Sequence, residues 1–212
     1  MAELRPYECI LRESRTAAVR EAGEYFAGGG WLHETLRRLA TRLEEERIVY
    51  ALVGGMALGE YGYVRMTDDM NVLVTLQGLD RFHERCTRRG YVATHPGARD
   101  SVRDTASGVR ITFLVAGEFP GDGKPKPVAF PDPLAAAEEI DGLKVLCLPR
   151  LVELKLASGM SAPHRLRDLA DVQELIKARR LDAAFAAELD ASVRERYLDL
   201  ERAVATALPG PE

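Results

Sequence analysis

The chain has 212 residues, 46% of them hydrophobic, enough for a sizeable core in one large domain or a domain with a helical annex. A formal charge of −4 and an isoelectric point near 5.7 exclude a global basic field that would gather nucleic acid, though a local basic groove stays open. No stretch approaches the ~18 apolar residues of a spanning helix. Cys9, Cys86 and Cys147 are odd in number and lack Cys-x-x-Cys spacing, so a reducing, cytoplasmic setting is expected, with no membrane partner.

In chain order, Tyr7–Phe26 reads as a charged helix stopped by Gly28-Gly29-Gly30. Trp31–Arg47 is a better amphipathic helix, with Leu32, Leu36, Leu39 and Leu43 at near-helical spacing and Trp31 packing one helix on another. Residues 48–53 form an apolar strand that ends at Gly54-Gly55, and a short helix follows over Met56–Tyr61. Asp69 opens a second strand that runs through Asn71–Thr75. Leu79–Arg89 reads as a basic helix. Its Arg81, Arg85, Arg88 and Arg89 make either a solvated surface or a grip on a phosphate-rich partner.

Tyr91–Thr94 is a short strand, and Ser101–Thr105 with Val109–Val115 a hairpin turning at Ser107-Gly108. In the latter strand Ile111, Phe113 and Val115 face one way, Arg110, Thr112 and Leu114 the other. The glycine- and proline-rich stretch from Gly117 to Pro127 is a loop, with Lys124 and Lys126 in reach of a nucleotide or simply solvated. Gly142–Leu148 is a last strand, and Pro149 starts a helix over Leu151–Ala157. Arg165–Arg179 is a long helix, and Leu181–Leu208 holds one or two more.

The stretch VYALVGGMALGEYGYVRMTDDMNVLVT, residues 49–75, carries the functional signal. A strand stopping at Gly-Gly before a helix lets backbone approach a phosphate, with free N–H groups facing the anion. Asp69 and Asn71 share one face of the next strand. The stretch resembles the signature of the polymerase-β type nucleotidyltransferase superfamily. With GVRITFLVAGEFPGDGKPKPVAFPDP (108–133) and LKLASGMSAPHRLRDLADVQELI (154–176), it is similar to a bacterial stand-alone branch related to abortive-infection and toxin–antitoxin nucleotidyltransferases.

The resemblance implies a mixed α/β fold with a small central sheet. Helices at 1–47 would pack on a core at 48–148, and a helical part would follow at 149–212. It implies an NTP on Gly54, Gly55, Lys155 and Asp168 (or Asp171), and Asp69 and Lys155 as catalytic residues. Asp69, Asn71 and Thr112 stand where Mg2+ or Mn2+ would be held. The acceptor would be a hydroxyl of RNA, a protein or a small molecule, and an antitoxin-like partner is a further implication. His164 and Arg165, opening a helix, would suit an anion or be plainly exposed.

Two positions depart from the pattern: Asn71 and Thr112 replace carboxylates. Two divalent ions ~3.7 Å apart repel by of order 18 kcal/mol at an effective dielectric of ~20, which the lost charges no longer offset. Asp68, next to Asp69 in an alternating strand, is expected to face away. Asp100 or Asp104 could reach across from the hairpin. An active transferase with weak metal binding and a nucleotide-binding pseudoenzyme both stand at this point.

Overall fold

The computed structural model describes residues 4–207, so the outermost ends of the two flanking helical segments, Leu208 among them, lie outside it. The chain begins with α1 (Tyr7–Glu13) and α2 (Arg15–Phe26) where one helix was expected. The break falls at Ser14, whose extended backbone lets its Oγ accept from Ala17 N and cap α2. Helix α3 (Gly30–Glu45) buries Leu32, Leu36, Leu39 and Leu43 as its spacing required. Its first turn is held by Glu21, a buried carboxylate that accepts from Trp31 N and Tyr7 Oη.

Strand β1 (Tyr50–Val53) runs directly into α4 (Gly54–Glu60), and β2 (Asp69–Val74) follows. Helix α5 (Leu76–Cys86) starts three residues before the expected position, because Thr75 Oγ caps it through Gly78 N. Arg88 and Arg89 therefore fall beyond its end. Strands β3 (Tyr91–Ala93), β4 (Ser101–Asp104) and β5 (Arg110–Val115) follow.

A short α6 (Pro133–Ala136) and β6 (Ala137–Ile140) were not foreseen; β6 pairs with β7 (Leu143–Leu146) through an Asp141-Gly142 turn. The C-terminal part holds α7 (Leu148–Ser161), α8 (Leu166–Arg179) and α9 (Ala191–Ala207).

Among the described residues seven strands form one mixed sheet in the order β3-β4-β5-β2-β1-β7-β6, larger than expected. Strand β1 pairs antiparallel with β2 and parallel with β7, and β2 pairs parallel with β5. One face is dry: Ile111 and Phe113 of β5 are buried, and Phe113 meets Phe82 of α5 with ring centres 4.6 Å apart. The opposite face, carrying Asp69, Asn71, Arg110 and Thr112, is left half-buried. That difference between faces positions the site. No helix among the described residues is long and apolar enough to cross a membrane.

Candidate active site

The half-buried face forms the floor of a cleft of about 640 Å3 between the β1–α4 turn, the start of β2, the 117–121 segment and α7–α8. Strand register assembles the floor. Val53 lies opposite Asn71, and Asn71 lies beside Thr112 in the parallel β2–β5 pair, with Asp69 beside Arg110. The three expected ligand positions therefore share one surface with Gly54 and Gly55.

Gly54 has φ +71°, where a side chain is strained, and a Cβ there would sit 2.8 Å from Asn71 Nδ2. A Cβ on Gly55 would come within 3.0 Å of Thr67 Cβ. Backbone thus forms this wall of the cleft, and no side chain caps the first turn of α4. At seven residues α4 is too short to lend much of a dipole.

Asp69 is held by three neighbours. Its Oδ1 accepts from Thr67 Oγ at 3.1 Å and lies 3.5 Å from Asn71 Nδ2; its Oδ2 lies 3.7 Å from Arg110 Nη2. Asn71 thus meets Asp69 as a donor. Asp68 precedes the strand, escapes its alternation and lines the cleft, contrary to expectation. Asp100 lines it too. Asp104 is spent in the hairpin, accepting from Ala106 N, Ser107 N, Ser107 Oγ and Arg38.

The far wall is ionic. Lys155 of α7, only 6% exposed, donates to Asp168 at 3.0 Å and to Asp171 at 2.6 Å. Ser158 Oγ and Arg165 Nε bind the other oxygen of Asp168. Arg65 grips Asp171 with Nε at 2.7 Å and Nη2 at 2.8 Å, leaving Nη1 on the Gly55 side. Burial pushes the Asp168 carboxyl up, but Lys155, Ser158 and Arg165 together outweigh it and leave it below its ordinary value. Burial likewise opposes the charge of Arg65, and the bonded Asp171 more than restores it.

Of the expected site residues, Gly54, Gly55, Asp69, Asn71, Thr112, Lys155 and Asp168 all line one cleft, with His164 and Arg165 at its exposed rim. Lys155 and Asp168 form a buried bridge between α7 and α8. Lys126 is tied to Pro120 O, Asp122 and Ser161 Oγ, so it fastens the loop to α7. Arg65 and Arg110 were missed. The available signal was Arg65 standing between two glycine-bounded strands, and Arg110 sharing a face with Thr112.

The donor set does not fit a pair of divalent ions. Among the described residues no three His, Cys, Asp or Glu side chains converge to hold a metal. A Mg2+ on Asp69 Oδ2 at ~2.1 Å would stand within about 6 Å of Arg110 Nη2. At an effective dielectric of ~20 that repulsion is about 6 kcal/mol, reduced by solvent because the Arg110 side chain is 37% exposed.

No protein-family profile matches the sequence, and no curated protein is significantly similar to it. Among solved structures the chain is similar to JHP933 from Helicobacter pylori, at 16% identity and TM-score 0.44, covering 82% of this chain and 90% of that one. It is also similar to ANT(2'')-Ia in complex with adenylyl-2''-tobramycin, at 15% identity and TM-score 0.44, covering 81% and 96%. At these identities and TM-scores the likenesses carry no activity to this chain.

Proposed function

We propose that the cleft binds a nucleoside triphosphate and that the chain is a nucleotidyltransferase-like protein. Residues 48–148 are its core and 1–47 and 149–212 its helical flanks. The observation that carries this reading is the meeting of the side-chain-free Gly54-Gly55 wall with Asp69, Asn71 and Thr112 across one cleft, with Arg65 Nη1 beside it. Backbone N–H groups and a guanidinium suit a phosphate chain.

The reaction such an arrangement serves is transfer of a nucleoside monophosphate to a hydroxyl of RNA, a protein or a small molecule. The hydroxyl oxygen bonds to the α-phosphorus, the bond to pyrophosphate breaks, and the hydroxyl proton passes to Asp69. Divalent ions, where bound, would stabilise the spreading negative charge.

The second reading is a pseudoenzyme that binds nucleotide without transfer, and it is favoured by Asn71, Thr112 and the Arg110 cation at Asp69. Either protein could carry an antitoxin-like partner on α2, where Val19 and Phe26 are exposed. Titration with ATP, CTP, GTP and UTP, followed by melting temperature, is the test. Binding that Gly55→Asp abolishes supports the reading. If no nucleotide stabilises the protein, it fails.

A further inference from the structure

The misfit between this donor set and a metal pair points to a different source of positive charge. We infer that Arg110 supplies it: the guanidinium beside Asp69 makes the cleft a metal-independent site for the phosphates of a nucleotide. The inference rests on reading the cleft as a nucleotide site and specifies what its phosphates meet.

Arg110 lies in register beside Asp69, at the amino end of β5 and on the same strand face as Thr112, at the edge of the cleft next to Asp69 but not among the residues that line it. Among the described residues its one ion-pair partner is Asp69 Oδ2, at 3.7 Å, too long for a good hydrogen bond. Its Nε is buried and has no hydrogen-bond partner among the described residues. A guanidinium has five donors in a fixed fork, and here that fork is nearly unused. By contrast, Arg65 and Arg103 each grip a carboxylate with two nitrogens. Arg110 is therefore an under-engaged cation at the spot where the sequence has dropped two negative charges.

Charge balance gives the same answer. Three carboxylates on this floor would call for a metal to approach a polyphosphate at all. On the β2–β5 face Asp69 is balanced by Arg110, while Asp68, Asp100 and Glu118 elsewhere on the lining stand against Arg65, Arg165 and Arg167, so a phosphate needs only to draw Arg110 from its long contact with Asp69. Asp69 is then a competitor for Arg110, and removing it should strengthen phosphate binding. A metal ligand would behave the opposite way.

The experiment is isothermal titration of the full chain with ATP, in excess EDTA and again in Mg2+. It uses the unmodified protein, Arg110→Met, Arg110→Lys and Asp69→Asn, each checked for folding by circular dichroism. The expected result is an affinity in EDTA within about twofold of that in Mg2+. Arg110→Met should lose at least about tenfold in EDTA, the share of a charge-assisted contact. Arg110→Lys should fall between, and Asp69→Asn should bind about threefold tighter. Binding that requires Mg2+, or that Arg110→Met leaves unchanged, overturns the role of Arg110 while leaving the nucleotide site standing. Loss of binding in Asp69→Asn overturns it as well. No binding in either buffer overturns the nucleotide site itself.

Discussion

Asp171→Asn tests the ionic wall. The carboxylate is 1% exposed and accepts three charge-assisted bonds, one from Lys155 and two from Arg65. At roughly 1.5–3 kcal/mol each these would sum to more than any single substitution costs, since they share one charge and are not additive. Asparagine keeps one acceptor oxygen but no charge. It leaves Lys155 and Arg65, with side chains 7% and 16% exposed, facing Asp168 alone. Breaking one partner of a buried pair costs about 3–5 kcal/mol. In a chain of this size 1 kcal/mol moves the melting temperature by ~2–4 °C, so a fall of roughly 6–20 °C is expected. Adding Lys155→Met to Asp171→Asn removes the stranded cation, so the double variant should lose less than the two single losses added together. The assay is calorimetric melting of all four proteins at neutral pH. A fall below about 3 °C, or a cycle that adds up, would show the network to be solvated and the reasoning wrong.

Two further outcomes are expected. Asn71→Asp with Thr112→Asp places three carboxylates on the cleft floor, so the metal-free protein should melt lower while Mn2+ at a hundredfold excess over its dissociation constant restores ~2.7 kcal/mol, or about 5–11 °C; a Mn2+ response no larger than that of the unmodified chain refutes these positions as ligand sites. The carboxyls of Glu8, held down mainly by Arg103, and of Asp168 lie below their ordinary values of 4.5 and 3.8, so the stability they add is complete above those values and drains as pH falls through them. Melting temperature should decline below about pH 5, less steeply in Asp168→Asn, and a flat profile down to pH 3 contradicts this.

The sheet centre was legible because β1, β2 and β5 are apolar runs bounded by glycine or by alternation; period 2 separated the two side-chain sets of β5, and the structure shows which of them is buried. Strand β6 was not, since Ala137-Glu138-Glu139 favours a helix by composition and is made extended by pairing with β7. The start of α5 was missed because a Thr75 cap outweighs the apolar spacing that begins at Leu79. That Asp69 and Asn71 share a face could be read from strand alternation, and Thr112 joined them only through the resemblance. The Arg65–Asp171 grip could not, since it joins residues 106 positions apart and no local periodicity encodes such a pair.

Strand β1 sits between a neighbour made at once and one made late. Leu52 meets β2 at Val72, but its other edge is closed only by Val145 of β7. During synthesis at ~5–20 residues per second, that edge stays open for roughly 5–20 s, its N–H and C=O groups unpaired. The amino-terminal helices wait as long, because Tyr7 N bonds to Gly108 O and Glu8 to Arg103. A nascent chain halted before Leu143 presents the open edge of β1 to its neighbours, and two such chains would pair along it before either could fold.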